Sequence, residues 1–443
     1  MNFLKSFYIH NSFFRYIAIL SALFIVSYWV KWLYPIAWIT TFFLMSLFVL
    51  DIFLLYRSKK GIDASRIAPQ KLSNSDHNTI TLNFRSFYPF KVLITIIDEL
   101  PVQFQKRDFE YHTTLTKGDK KQFDYTVRPV DRGEYVFGNL NIFVSSTLKM
   151  VKRRYIFQKD EMVPVYPSII QMQQYDFLAM SNNLTEFGLK KIRRIGHTQE
   201  FEQIKEYIAG DDFRTINWKA TAKRSQLMVN QYQDEKSQPI YSIIDTGRVM
   251  KMPFNELKLV DYAINSTLAF SNVALKKNDK TGMISFSKKI ETFLPAVQKV
   301  TYLNTILEKL YNITTAFTDS DFGLLYAHIK RKVNHRSLLL LYTNFEHISA
   351  MRRQLPFLTA IAKKHVLVVI FFENTELKEL IETNAEDIQS IYHKTIAEKF
   401  SLEKRLMQKE LQQYGIQTIL TKPEHLTVNT INKYLEIKAR GLL

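Results

Sequence analysis

Two adjacent carboxylates, Asp211 and Asp212, and a lone aspartate closing an apolar run, Asp245, are the residues whose types and settings suit chemistry. Paired carboxylates serve as general acid and base when their surroundings push their pKa values apart. Here Arg214, Lys219 and Lys223 share the segment, so ion pairing is the simpler expectation. Asp245 follows the apolar run 240–244 and precedes Gly247. A strand that ends in Asp before a Gly turn is where ligands sit in an open α/β sheet; the plainer alternative is that Asp245 caps the helix that follows. The chain has no Gly-x-Ser-x-Gly elbow, no Walker A run, no Gly-x-Gly-x-x-Gly and no His-Glu-x-x-His. It also has no cysteine, which excludes thiolate nucleophiles, thiolate metal sites and disulfides. His112, His197, His328, His335, His347, His365 and His393 show no metal-ligand spacing. The expectation is a non-enzymatic protein.

The elements that must position these residues follow from local pattern. Asp211 and Asp212 are suited to cap a short helix over 213–223, because carboxylates there accept orphan backbone N–H groups. Within it, Trp218 reads as a core residue, the alternative being a stacking platform. Further on, strand patterns lie at 240–244, 281–286, 337–342, 366–372 and 416–420. Helical patterns lie at 255–277, 299–311, 321–332, 351–364, 385–414 and 426–439. Continuous apolar runs such as Leu338-Leu-Leu-Leu-Leu-Tyr mark strands covered on both faces. Alternating strands and helices predict a doubly wound α/β domain over 238–443. The basic run Arg331-Lys332-Val-Asn-His-Arg336 leads straight into a buried strand, so it reads as a surface loop, and no nucleic-acid partner is expected.

Upstream, the composition changes sharply. Residues 12–30 and 33–56 are two apolar runs broken by Lys31 and Pro35. A bilayer asks for about 20 such residues per helix, so 1–60 predicts a transmembrane hairpin with an aromatic belt at its turn, from Tyr28 to Trp38. Arg15 and Asp51 would lie near one face of it. Lys5, Arg15, Arg57, Lys59 and Lys60 flank the outer ends, against Lys31 alone in the turn; the positive-inside rule then puts both termini in the cytoplasm. The net charge of +18 over 443 residues suits a chain beside anionic lipid. Short β-branched and aromatic segments separated by turns over 61–167 predict an all-β sandwich of immunoglobulin-like size. Residues 168–237 form a connector, with a basic run from Gly188 to Gly196 that reads as a solvated loop.

The segment Gly-Asp-Asp-Phe-Arg-Thr-Ile-Asn-Trp-Lys-Ala-Thr-Ala-Lys, 210–223, resembles the signature of the bacterial domain-of-unknown-function family 58. Asp98-Glu-Leu-Pro101, Pro129-Val-Asp-Arg-Gly133 and Val165-Tyr-Pro167 match further pieces of that family. The resemblance implies a membrane-anchored protein of the bacterial inner membrane whose C-terminal part is similar to a von Willebrand factor A domain. It implies a scaffold whose partners are a MoxR-type AAA+ ATPase and other von Willebrand A-like membrane proteins. Gly210, Asp211, Asp212, Arg214, Asn217, Trp218 and Lys219 would then serve the motif and partner binding. Such domains often hold Mg²⁺ with Asp-x-Ser-x-Ser, a threonine from a second loop and an acid after a later strand. Here the serine places are Gly247 and Val249, and Asp245, Asn344 and, from the second loop, Thr318 or Ser320 remain. The set is degenerate, so no cofactor is expected. A Mg²⁺-dependent receptor and an uncharacterised hydrolase are the alternatives.

Overall fold

A computed structural model of the chain describes residues 3–58, 60–106, 108–157, 160–180, 199–209, 211, 213–234, 237–382 and 387–442. It divides into two compact units, Met1–Tyr166 and Pro167–Leu443.

The first unit begins with α1 (Phe3–Ser6), β1 (Phe7–Ile9), α2 (Asn11–Trp29) and α3 (Leu33–Arg57). Both α2 and α3 are long and apolar enough to cross a membrane. Their outward faces carry exposed apolar groups such as Ile19 and Phe42, as lipid-facing helices do. The strands are β2 (Ile62–Ile67), β3 (Leu72–Ser73), β4 (Asn78–Ser86), β5 (Val92–Asp98), β6 (Glu110–Leu115), β7 (Lys120–Val127), β8 (Gly133–Phe137), β9 (Leu140–Ser145), β10 (Val151–Phe157) and β11 (Glu161–Tyr166). They form sheets of order β1-β10-β9-β5-β6, β3-β11-β8 and β2-β4-β7 around one core. Alternate residues of β4 and β5 point inward, the period a half-buried strand requires.

The end of α3 is built into this β core. Leu55 is fully buried, and its carbonyl accepts from the Tyr88 hydroxyl at 3.0 Å and from Arg153 at 2.6 Å. Asp51 Oδ2 accepts the backbone N–H groups of Met150 and Val151 at 3.1 and 3.0 Å. Arg15, at the same end of the hairpin, donates to Ser12 at 2.8 Å. Because β1 pairs antiparallel with β10, the residues before α2 and the strand sheet after α3 belong to one sheet. A hairpin that spans the bilayer would therefore keep both its ends on one side.

The second unit opens with α4 (Ile169–Met180), β12 (Gln199–Glu206), α5 (Trp218–Arg224) and β13 (Met228–Asp234), with β12 and β13 paired antiparallel. Next come β14 (Pro239–Asp245), the two-residue strands β15 (Pro253–Phe254) and β16 (Leu257–Lys258), α6 (Leu259–Lys276), β17 (Lys280–Phe286), β18 (Ile290–Val297), α7 (Tyr302–Tyr311) and α8 (Phe322–Lys332). The chain ends with β19 (Leu338–Tyr342), α9 (Ile348–Ala362), β20 (Val366–Phe372), α10 (Thr375–Glu382), α11 (Ile388–Gln413), β21 (Gln417–Thr421) and α12 (Leu426–Ala439).

The main sheet has the order β18-β17-β14-β19-β20-β21, parallel except for β18 at one edge. Leu338, Leu340 and Tyr342 of β19 pack with α6, α7 and α12, whereas Leu339 and Leu341 pack with α8, α9 and α11. Strand residues alternate between faces, so an unbroken apolar run is what a sheet covered on both sides demands. The chain moves from β14 to β17 on one side and then to β19 on the other. The direction of travel thus reverses at β14 and β19, and the crevice beyond their carboxyl ends is the expected ligand position of an open α/β sheet.

Candidate functional site

Asp245 ends β14 in that crevice and is fully buried. Its Oδ1 accepts the Gly247 backbone N–H at 2.8 Å and the Ser320 hydroxyl; its Oδ2 accepts the Thr343 hydroxyl at 2.6 Å. The last bond ties the ends of β14 and β19 together. Burial pushes the Asp245 carboxyl above the usual carboxylate range, against the pull of its three donors. No helix is capped here: the Gly247 contact lies two residues on, ahead of the short 3₁₀ turn Arg248–Lys251.

Gly247 explains why the serine of the related pattern is missing. A Cβ at this position would collide with the Ser320 side chain and meet Asp245 Oδ1 at 3.0 Å. Ser320, from the loop before α8, thus fills the space that a serine at 247 would use. Thr318 lies in the same loop, and its carbonyl accepts from Arg248 N–H at 2.9 Å. Its hydroxyl is buried without a hydrogen-bond partner. Asn344 is buried, but its Oδ1 accepts from Lys404 Nζ at 2.6 Å, and the same ammonium donates to the Phe345 carbonyl at 2.6 Å. Mg²⁺ asks for near-octahedral oxygen ligation. Both Asp245 oxygens and the Asn344 amide oxygen already accept protein donors, one of them cationic. Of the three expected ligands, only the Thr318 hydroxyl stands ready, so this donor set does not fit a divalent cation as arranged.

Lys404 was not legible as a site residue. Burial depresses its ammonium to about 8, with Glu346 opposing the shift. In the unfolded chain the ordinary value is restored, so between about pH 8 and 10.5 the unfolded state binds more protons. Stability contributed at this position should therefore rise as pH climbs through that window. The Tm of the second unit, followed from pH 7 to 10.5 in the wild type and in Lys404→Met, should show the gain only in the wild type.

The 210–223 segment departs from the expected capped helix. Residues Phe213–Thr215 make a 3₁₀ turn, and α5 starts only at Trp218. Its cap is Asn217, whose side chain accepts Ala220 N–H at 3.0 Å, not Asp211. The Asn217 backbone N–H also donates to the Met228 carbonyl at 2.8 Å. Thr221 accepts Met228 N–H at 3.0 Å, and Ile216 bridges to Val229. Asp211 instead accepts Ile208 N–H and Lys205 Nζ, both at 3.1 Å, and the Ile208 contact leads in holding its carboxyl below the usual range. Gly210, Asp212 and the run 188–196 lie outside the described residues. Arg214 and Lys219 are exposed.

Trp218 corrects the core expectation: it is 70% exposed, as is Phe213. The first turn of a seven-residue helix, pinned to β13 through Asn217 and Thr221, leaves the indole no interior to enter. Trp218→Ala should therefore shift stability by less than about 0.5 kcal/mol, as surface substitutions do, in a urea melt of the full chain.

Residues 203–388 match the family described as protein of unknown function DUF58. The signature segment 210–223 lies inside the matched residues. It is 24% identical over 241 residues to the uncharacterized protein YeaD of Bacillus subtilis (strain 168), covering 53% of this chain and 58% of that relative. The matched part thus spans little more than half of that relative's length. Among solved structures, it is similar to the conserved hypothetical protein BatB of Bacteroides thetaiotaomicron, with 15% identity, a TM-score of 0.32, and coverage of 46% of this chain and 99% of that one. An aerotolerance-related membrane protein of Bacteroides fragilis NCTC 9343 gives 13% identity, a TM-score of 0.28 and coverage of 46% and 99%.

Proposed function

We propose that this protein is a membrane-anchored, non-enzymatic scaffold whose α/β unit is of the von Willebrand A-like kind and grips other proteins. On this reading α2 and α3 anchor it in the bacterial cytoplasmic membrane as two passes, with both termini cytoplasmic. The β unit, of immunoglobulin-like kind, stands at the membrane face. The partner is a MoxR-type AAA+ ATPase, together with other von Willebrand A-like membrane proteins, in the assembly or activation of envelope complexes. The observation that carries the docking reading is the exposure of Phe213 and Trp218. Asn217 and Thr221 hold their segment on β13, so two large aromatic groups are presented on a fixed support. Exposed aromatics on a defined frame are the usual anchors of protein interfaces.

The scaffold works without a resident cation on this reading, because Asp245 is engaged by Ser320, Thr343 and Gly247. Affinity capture from detergent extract under ATP-trapping conditions should recover an AAA+ ATPase with the wild type and lose it with the Phe213→Ala/Trp218→Ala pair. Capture that never contains such an ATPase counts heavily against the proposal. The Mg²⁺-dependent receptor predicts instead tight Mg²⁺ or Mn²⁺ binding that Asp245→Ala removes.

A further inference from the structure

Beyond the carboxyl ends of β19, β20 and β21 lies a cavity of about 680 Å³, walled by Phe254, Leu259, Phe372, Leu377, Phe400 and Leu420. Ligand sites are typically apolar hollows of roughly this size with a few convergent polar groups. Here the convergent group is Lys404, reaching in from α11.

Its ammonium holds two neutral acceptors, Asn344 Oδ1 and the Phe345 carbonyl. An ammonium has three N–H groups, so one is left over, and among the described residues no carboxylate stands within ion-pair distance of it. Its hydrogen-bond partners are neutral and Glu346 acts on it through space, so an anion entering the cavity would give this cation a direct charged partner beside apolar walls. Arg405 lines the same space.

The remaining charges limit which anion. Glu346, Glu373 and Glu382 also line the cavity, as does His347, whose ring faces Glu403 at 3.5 Å. A polyphosphate would meet those carboxylates. A single carboxylate seated on Lys404, with an uncharged remainder, avoids them.

We propose that this cavity binds an organic carboxylate carried on a compact apolar body, the carboxylate on Lys404 and the body against Phe372, Leu377 and Phe400. The same chemistry has two sources, a free carboxylic acid or an acidic residue beside apolar residues in a partner protein. Only the second rests on the docking reading above.

The test uses the full chain in detergent and isothermal titration with phenylpropionate, its amide and phenylpropylamine. Phenylpropionate should bind saturably, at least about tenfold more tightly than the amide. Lys404→Met should erase that preference. Leu377→Trp, which fills the hollow and leaves Lys404 in place, should abolish binding while the Tm shows the fold intact. Equal binding of acid and amide, preference for the amine, or no saturable binding below about 10 mM would overturn the proposal. An N-acetylated Leu-Phe-Asp peptide separates the sources: tighter binding than phenylpropionate assigns the cavity to a protein partner, weaker binding to a free acid. ATPase capture reads a different surface, so loss of either result leaves the other interpretable.

Discussion

Asp98→Ala should cost the β unit about 3–5 kcal/mol, the largest single loss expected anywhere in the chain. Asp98 ends β5 in the interior, and its Oδ1 accepts from Arg66 Nη1 at 2.6 Å, with both side chains fully shielded from solvent. Its Oδ2 accepts from the Tyr125 hydroxyl at 2.5 Å. The Arg66 guanidinium also lies 4.9 Å over the Phe137 ring and reaches the Gly138 carbonyl. Removing the carboxylate takes away the short, fully buried ion pair of that guanidinium and leaves the longer contact to the partly exposed Glu161 at 3.5 Å to offset its charge, which is what makes breaking such a pair expensive. Burial raises the Asp98 carboxyl above its ordinary range even against Arg66, so desolvation is the dominant force at this position. It follows that replacing both partners by apolar groups, Arg66→Met with Asp98→Leu, should recover most of the loss. Urea unfolding of the full chain, followed by a signal from the first unit, checks both. A single variant with wild-type stability would show that the pair is not buried as described.

Asp245→Ala comes second, at about 2–4 kcal/mol. Three donors converge on this carboxylate, from Gly247, Ser320 and Thr343, and each buried group left without an acceptor costs about 1–3 kcal/mol, partly offset by relaxation. Asp245→Asn should cost less, about 1 kcal/mol, because the amide oxygen can keep the Gly247 and Ser320 donors while the Thr343 hydroxyl rotates to accept from the new NH₂. This ordering separates a structural hub from a cation site. At a cation site both variants would cancel any Mg²⁺-dependent gain in Tm; at a hub Mg²⁺ changes nothing in the wild type either, and the Ala variant alone is strongly destabilised. Thermal melts with and without Mg²⁺ decide it.

Both sites show where local pattern stops being informative. Strand β18 carries Pro295 and is only partly buried, so its sequence reads weakly as a strand; as an antiparallel edge it tolerates the proline that a central strand would not. The acidic pair 211–212 invites a helix start ahead of α5, yet Asn217 is an equally good capping type, and the pairing of Ile216 and Asn217 with β13 decides between them. Ser320 was open in the sequence as the alternative to Thr318 in its loop, and the contact with Asp245 decides for Ser320.

By itself the sequence determined the two long apolar helices and the central strands of the α/β sheet. Two long apolar runs specify helices suited to a bilayer, and unbroken apolar strands such as 338–342 and 366–372 specify a sheet covered on both faces, because periodicity and length are properties of adjacent residues. The family signature over 210–223 was equally local. Only the tertiary structure decided which groups meet. Ser320 reaches Asp245 across 75 positions, and Lys404 reaches Asn344 across 60. Those meetings depend on strand order and on which face each helix covers. Trp218 lies outside for the same reason: burial is set by what packs above a residue, and nothing in its own neighbourhood along the chain encodes that.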